Sequence, residues 1–293
     1  MSEDKKKVLI ALGSPSDMEL LKNAKLPEDI DFYLSVASAH RTPELVEMHH
    51  AQCEWDAVIA CAGLTNALAS KFLTLVPSNV PVIAVPIYDK ATRGLASVMS
   101  TTELPPGYPI FTTKIGDMNQ AIEFYNRAKN LSGDEVNVVY WCTHYAPDNW
   151  KENKLGKALD SFGIKYKQHD MHLALPNDLK SAELSGLVLL VTEDPSTEGC
   201  SEPVSDAKMP VVVESSSNLS TNLAPIQKYR YMRVSTNSPT NLAVAAAKLL
   251  ARNNPDVKAE LNKYLAAGRA KYDPYDELIE LTPEKIEELT KVK

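Results

Sequence analysis

The stretch Val8-Leu-Ile-Ala-Leu-Gly-Ser-Pro-Ser-Asp17 decides the fold. Five apolar residues in a row are too few for a helix and too uniformly apolar for a half-exposed strand. They read as a strand buried on both faces. Gly13-Ser-Pro-Ser-Asp17 then turns the chain, and Ser16 serves as the N-cap of a helix through Met18, Leu20, Leu21 and Ala24.

Working outward, the same alternation continues. Ile30–Ala37 reads as a second strand, and Thr42-Pro43-Glu44 as a helix start with a capping threonine and proline at the first helical position, running to about Cys53. Ala57–Ala60 predicts a strand, Ala67–Val76 a helix, and Val80–Val85 a strand bracketed by Pro81 and Pro86. A helix near Thr92–Ser100, a short strand at Ile110–Thr113 and a closing helix at Ala121–Ala128 complete the unit. Strands alternating with helices at this spacing predict an α/β fold with a parallel sheet covered on both faces.

The pattern then begins again. Val138–Tyr140 aligns with Val8–Ile10, Leu187–Leu190 with Ala57–Ala60, and Pro210–Val213 with Pro81–Ala84, at offsets of 130, 130 and 129 residues. Asn241–Leu250 matches the closing helix at Asn119–Ala128 with an offset of 122. Near-equal offsets predict an internal duplication. The expected organisation is a first unit over residues 1–131, a second over 136–252, and a charged helical tail over 253–293 in which Val257, Leu261, Tyr264 and Leu265 dock one face.

With 293 residues the chain is long enough for two such units at about 150 residues per domain. Apolar residues at 44% and charged residues at 24% fit a soluble globular protein and exclude collagen-like or wholly disordered chains. The net charge of −7 argues against a protein that holds nucleic-acid phosphate. Cys53, Cys61, Cys142 and Cys200 are widely spaced without a C-x-x-C pair, as in reduced, intracellular chains. The polar start and the lack of a long apolar run predict no leader, no membrane span and a cytoplasmic location.

In an open parallel sheet, ligands bind beyond the carboxyl ends of the strands. Three strand ends carry suggestive residues. After the first, Gly13 permits close backbone approach, Ser14 and Ser16 add hydroxyls at a helix start suited to an anion, and Asp17 can accept bonds from sugar hydroxyls. An ordinary capped turn reads equally from these residues. After the second, Ser38-Ala-His-Arg-Thr-Pro43 sets His40, a side chain that titrates near neutral pH, beside Arg41, whose planar fork suits phosphate. A helix cap with incidental charge is the alternative. After the third, Cys61-Ala-Gly-Leu-Thr-Asn66 is a small-residue loop whose Thr65 and Asn66 either read a heterocycle or cap the next helix.

Taken together, Gly13-Ser-Pro-Ser-Asp17 and Ser38-Ala-His-Arg-Thr-Pro-Glu44, with the later Gly94-Leu-Ala-Ser97 and Leu104-Pro-Pro-Gly107, resemble the PurE family of purine synthesis over about residues 7–130. The resemblance implies a flavodoxin-like three-layer αβα sandwich, here in two tandem copies. It implies aminoimidazole ribonucleotide as substrate and no metal or organic cofactor. His40 becomes the proton-transfer residue. Ser14, Ser16 and Asp17 meet ribose and phosphate, Arg41 holds phosphate, and Gly13, Ser38, Ala39, Ala62, Gly63, Thr65, Asn66 and Leu68 complete the binding set. Family octamers become a homotetramer of tandem chains.

The family has two branches. One rearranges N5-carboxyaminoimidazole ribonucleotide, and the other carboxylates aminoimidazole ribonucleotide with CO2. Ala62-Gly-Leu-Thr-Asn-Ala-Leu68 looks like the Ala-Gly-Arg-Ser-Asn-x-Leu of the direct carboxylases, with Leu64 in the arginine place. Ala96 replaces the aspartate of the mutase branch's Gly-Leu-Asp-Ser, whereas Arg41 resembles that branch. The expected activity is CO2-dependent carboxylation, with the mutase and a non-catalytic nucleotide-binding protein as alternatives.

The second copy lacks both early motifs. Cys142, His144, His169, His172 and Cys200 fall at or after strand ends, where a metal site is one reading and polar interface packing the preferred one. His49 and His50 are expected at a surface or interface.

Overall fold

The computed structural model describes residues 5–141, 150–170, 186–192, 211–215, 232–236 and 238–273. The first half runs β1 (Lys6–Leu12), a 3-10 helix (Pro15–Leu21), β2 (Ile30–Val36), α1 (Pro43–His50), β3 (Ala57–Ala62), α2 (Ala67–Leu75), β4 (Val82–Pro86), α3 (Leu95–Thr102), β5 (Phe111–Thr112) and α4 (Met118–Ala128). The second runs β6 (Glu135–Trp141), α5 (Trp150–Ser161), β7 (Lys165–Asp170), β8 (Leu187–Thr192), β9 (Val211–Ser215), β10 (Met232–Thr236), α6 (Pro239–Leu250) and α7 (Pro255–Ala270).

The first-half strands alternate strictly in destination. Val8, Ile10, Leu12, Ile59, Cys61, Ile83 and Val85 face α4. Leu9, Ala11, Val58, Ala60, Val82 and Ala84 meet Val46 of α1 and Leu68, Ala69 and Phe72 of α2. A strand with a period of two and apolar residues at both phases has both faces covered, so the run at Val8–Leu12 contains no polar position.

The strand order is β2-β1-β3-β4-β5-β10-β9-β8-β6-β7. Each half therefore follows the flavodoxin-like order, and the second is the first repeated in reverse across the molecule. The two sheets are joined. β10 pairs antiparallel with β5 through Arg233 and Thr112, so one ten-stranded sheet spans the described chain. One core cluster also crosses the seam, from Val8 and Phe111 through Val136 and Leu189 to Val257 and Leu261 of α7.

Register corrects one offset. Val8 lies opposite Ala57, whereas Val136 lies opposite Leu187. The counterpart of Val8 is thus Val136, two residues before the expected Val138. The slip is even, so it preserves which side chains face which layer. A second correction concerns residues 15–21. They form a 3-10 helix with Ser14 rather than Ser16 at its N-cap, and none of its residues is buried. Met18 is exposed, whereas Leu20, Leu21 and Ala24 are partly buried and pack against the core.

α6 is buried along nearly its whole length. A helix apolar on every side belongs inside. Ser238 caps it by accepting from the Asn241 amide at 3.2 Å. Polar groups on or just after it reach the first half. Asn241 holds the loop at Leu104–Gly107, Lys248 donates to the Ser78 carbonyl at 2.9 Å, and Arg252 pairs with Asp56 at 2.6 Å. In the tail, Val257 and Leu261 are buried and Tyr264 and Leu265 pack against the core, as the spacing suggested. His49 and His50 are half-buried. His49 Nδ1 lies 2.8 Å from the Ser35 hydroxyl, and burial lowers the His50 pKa.

Lys248 is 4% exposed, its ammonium bonds that carbonyl among the described residues, and burial pushes its pKa down to about 8. The unfolded chain therefore holds more protons than the folded one between about pH 8 and the ordinary lysine value of 10.5, and stability rises with pH through that window. Below it the full cost of a buried ammonium is present. Lys248→Met should raise unfolding free energy near neutral pH by a few kcal/mol, on the order of 3 from the size of the shift. The advantage over the parent should shrink as pH rises from about 8 to 10.5. Urea titrations at stepped pH measure it, and a pH-independent difference would contradict the assignment.

Candidate active site

The carboxyl ends of β1, β2, β3 and β4 open onto a cleft of about 540 Å³. Gly13, Ser14 and Asp17 line it after β1, Ser38 to Arg41 after β2, Ala62 to Thr65 with Leu68 after β3, and Ile87 to Asp89 after β4.

The first wall is drawn close. Gly13 donates to the Cys61 carbonyl at 2.9 Å, and a Cβ there would stand 3.2 Å from that of Ala62. Glycine thus lets the β1 turn lie against β3 and forms a small-residue floor. Ser14 accepts from the Ser16 hydroxyl at 2.9 Å, and Ser16 also reaches the Asp17 carboxylate at 3.3 Å. Burial raises the Asp17 pKa, while bonds from Ser16 and Ser14 and the charge of Arg41 oppose the rise. Beneath it the Cys61 thiol is fully buried, and burial, with the Asp17 charge, pushes its pKa far up. It is an inert part of the floor.

The second wall is a closed turn. Thr42, the residue before α1, makes no side-chain cap to that helix. Its hydroxyl instead accepts from the Ser38 amide at 2.9 Å, its own amide donates to the Ser38 carbonyl at 2.9 Å, and Ser38 Oγ accepts from the Arg41 amide at 3.3 Å. His40 and Arg41 ride on the apex of this braced loop with exposed side chains.

The third wall separates Thr65 from Asn66. Thr65 is exposed and lines the cleft. Asn66 is fully buried. Its Oδ1 accepts from the Ala69 amide at 3.2 Å as the N-cap of α2, and its Nδ2 donates to the Ala60 carbonyl at 3.2 Å. The side chain expected to meet substrate is committed to the helix start, because a buried amide with its acceptor and one donor already satisfied by the protein is held there. Leu64 between them takes φ +56° and is 61% exposed, a left-handed conformation unusual for a branched residue and a local strain at the cleft wall.

The fourth wall escaped the sequence reading. Asp89 accepts from the Thr92 amide at 2.7 Å, the Thr92 hydroxyl at 2.6 Å and the Gly94 amide at 3.1 Å, and these bonds lower its pKa, the Thr92 hydroxyl first. It fixes the turn into α3. Applying the strand-end rule to β4 as well as to β1–β3 would have found Ile87, Tyr88 and Asp89, and an aspartate three residues before a threonine is a turn signal.

Of the thirteen residues expected in the site, eleven line one cleft. Ser16 stands behind Ser14 and Asp17, and Asn66 faces inward. Among the described residues, no group of three or more His, Cys, Asp or Glu side chains is placed to hold a metal ion, and no helix is long and apolar enough to cross a membrane. Cys142, His144, His172 and Cys200 lie outside the described residues. His169 is described, with Nε2 lying 2.9 Å from Asn137 Oδ1.

Chemically, the cleft combines a guanidinium cation, two half-buried carboxylates, hydroxyls near helix starts and an imidazole beside a small-residue floor. That set suits an anionic, hydroxyl-bearing ligand and a proton transfer.

Comparison with known proteins agrees. The model of AIR carboxylase matches residues 7–135. A protein of Pyrococcus abyssi named N5-carboxyaminoimidazole ribonucleotide mutase is 40% identical over 123 residues, which cover 40% of this chain and 70% of that one. Proteins of the same name from Methanocaldococcus jannaschii and Bacillus subtilis are 40% and 36% identical over 111 residues, covering 37% and 36% of this chain and 69% and 68% of theirs. The family model spans the half that builds the cleft, and on that half the chain belongs to the AIR carboxylase family.

Proposed function

We propose that the cleft moves a carboxyl group onto the imidazole ring of aminoimidazole ribonucleotide in purine synthesis, and that it does so as an N5-carboxyaminoimidazole ribonucleotide mutase. The observation that carries the chemistry is the braced Ser38–Thr42 turn, which presents His40 and Arg41 together over the β1 and β3 loops. The names of the relatives favour the mutase branch.

In this reading, Arg41 and the helix start at Ser14 hold the phosphate, and Asp17 accepts from the ribose. The carboxyl leaves the exocyclic nitrogen as CO2, and that nitrogen regains a proton. The enamine-like ring carbon attacks the trapped CO2, and its own proton then departs to restore aromaticity. One proton is lost at carbon and one gained at nitrogen, so His40 can serve both ends without net exchange with water. Holding CO2 beside the ring is a positioning task for the small floor of Gly13, Ala62 and Gly63. Thr65 and Leu68 line the ring side.

The CO2-dependent carboxylase is the second reading. It rested on Thr65-Asn66 in the places of Ser-Asn, and on Ala96 where the mutase branch carries aspartate. The inward-facing Asn66 removes half of the loop's weight as a substrate reader, since any capping asparagine would satisfy it.

The test supplies the N5-carboxy compound, isotopically labelled in its carboxyl group, in unlabelled bicarbonate buffer. A mutase should return labelled product at a rate well above that from aminoimidazole ribonucleotide and CO2. Unlabelled product formed equally well from either would transfer the assignment to the carboxylase. No product from either would overturn both.

A further inference from the structure

Among the described residues, the second half reaches the cleft through a specific chain of hydrogen bonds. Asn241 of α6 is 0% exposed. Its Oδ1 accepts from the Gly107 amide at 2.6 Å, and its Nδ2 donates to the carbonyls of Leu104 and Pro105 at 3.3 Å each. Tyr264 of α7 closes the other side. Gly107 takes φ +98°, and a Cβ there would stand 3.2 Å from the Tyr264 ring. The loop so gripped follows directly from α3, and α3 also packs on β10. From the same helix, Ser97 Oγ donates to the Ala62 carbonyl at 2.7 Å, and Ser100 Oγ accepts from the Asn66 amide at 2.9 Å. These two bonds, three residues apart on one helical face, hold both ends of the Ala62–Asn66 loop. Buried polar groups satisfied in this way fix a unique arrangement.

We propose that the second half is a positioning element for the cleft, with Asn241 as its positioning residue: it anchors the loop after α3, and α3 in turn sets the Ala62–Asn66 wall. The kinetic part of this proposal rests on the reading of the cleft given above, while the structural part does not. Asn241 touches no substrate. Its effect is carried by the rigid helix between the two sets of hydrogen bonds.

The experiment compares the full-length parent with Asn241→Ala and Arg252→Met. The second variant cuts another bond between the halves, at Asp56, beyond the opposite ends of the strands from the cleft. Amide exchange of the peptide containing residues 62–66 and the mutase rate at saturating substrate are read for each. Asn241→Ala should speed exchange in that segment and lower kcat by about tenfold with a smaller change in KM, the scale expected when a reacting geometry loosens. Arg252→Met should change neither, although it weakens the fold. Parent-like exchange at 62–66 in Asn241→Ala, or equal acceleration in Arg252→Met, would overturn the proposal. Should Asn241→Ala not fold, Asn241→Asp keeps the acceptor facing Gly107, and its 62–66 exchange must still rise, by less. If the parent itself turns over neither substrate, the proposed function fails while the exchange comparison still decides whether Asn241 positions the wall.

Discussion

Replacing His40 with alanine should lower turnover of the N5-carboxy compound by about 10³-fold, within the usual range for a lost proton-transfer group, and leave the fold intact. The stability half of this expectation comes from geometry. His40 is exposed at the apex of a turn whose bracing runs through Ser38, Arg41 and Thr42 by backbone groups and hydroxyls. None of those bonds uses the imidazole. Binding of the nucleotide should persist within a few-fold, because Arg41, Ser14 and Asp17 remain. Steady-state kinetics, a calorimetric titration with aminoimidazole ribonucleotide and a thermal melt give the three readouts. Turnover within tenfold of the parent would remove His40 from the chemistry, and a large drop in affinity would recast it as a binding group.

The largest loss of stability should come from Arg252→Met. The Arg252 side chain is 6% exposed, and its guanidinium bonds the Asp56 carboxylate at 2.6 Å, also bonds the Asp56 carbonyl, and lies over the Tyr125 ring at 5.3 Å. Breaking a buried ion pair by removing one member costs about 3–5 kcal/mol. Here Asp56 keeps the Lys7 amide at 2.9 Å and the Lys6 ammonium at 3.5 Å, so its carboxylate is not stranded. The expected cost is therefore about 2–4 kcal/mol, composed of two charge-assisted bonds and the ring contact. A double-mutant cycle with Asp56→Asn in urea separates the pair from the packing. A loss below about 1 kcal/mol would show that this pair adds little to the join between the halves.

The sequence made the sheet readable because its strands are short apolar runs closed by glycine or proline. Val8–Leu12, Ala57–Ala60 and Val80–Val85 fall inside or within two residues of β1, β3 and β4. The join between β5 and β10 was not readable. It rests on a two-residue strand and on partners more than a hundred residues apart, and neither carries a periodic signal. The duplication could be seen as near-equal offsets, but a shift of two in β6 leaves an apolar strand looking the same. In the site, the loops after β1, β2 and β3 were legible because glycine, histidine, arginine and hydroxyls cluster there. What residue type alone could not decide is direction. Asn66 suits a cap and a heterocycle equally, and only the helix beginning at Ala67 chooses. Thr42 stands at the N-cap position as expected, but its hydroxyl makes no cap bond and instead closes the turn that presents His40.

Parallel pairing within each half and an antiparallel seam between them mean that the strands of the two halves point in opposite directions. The carboxyl ends of β6 and β8 therefore lie at the far end of the molecule from the cleft. Halves arranged in this way leave the strand ends of the second outside the cleft of the first. The Gly-Ser-Pro-Ser-Asp and His-Arg-Thr-Pro signatures are absent from the second half, whose described strand ends face away from that cleft. What purifying selection must keep in that copy is the seam and the inward side of α6, so the lineage should record its history as drifting strand ends around an unchanging Asn241.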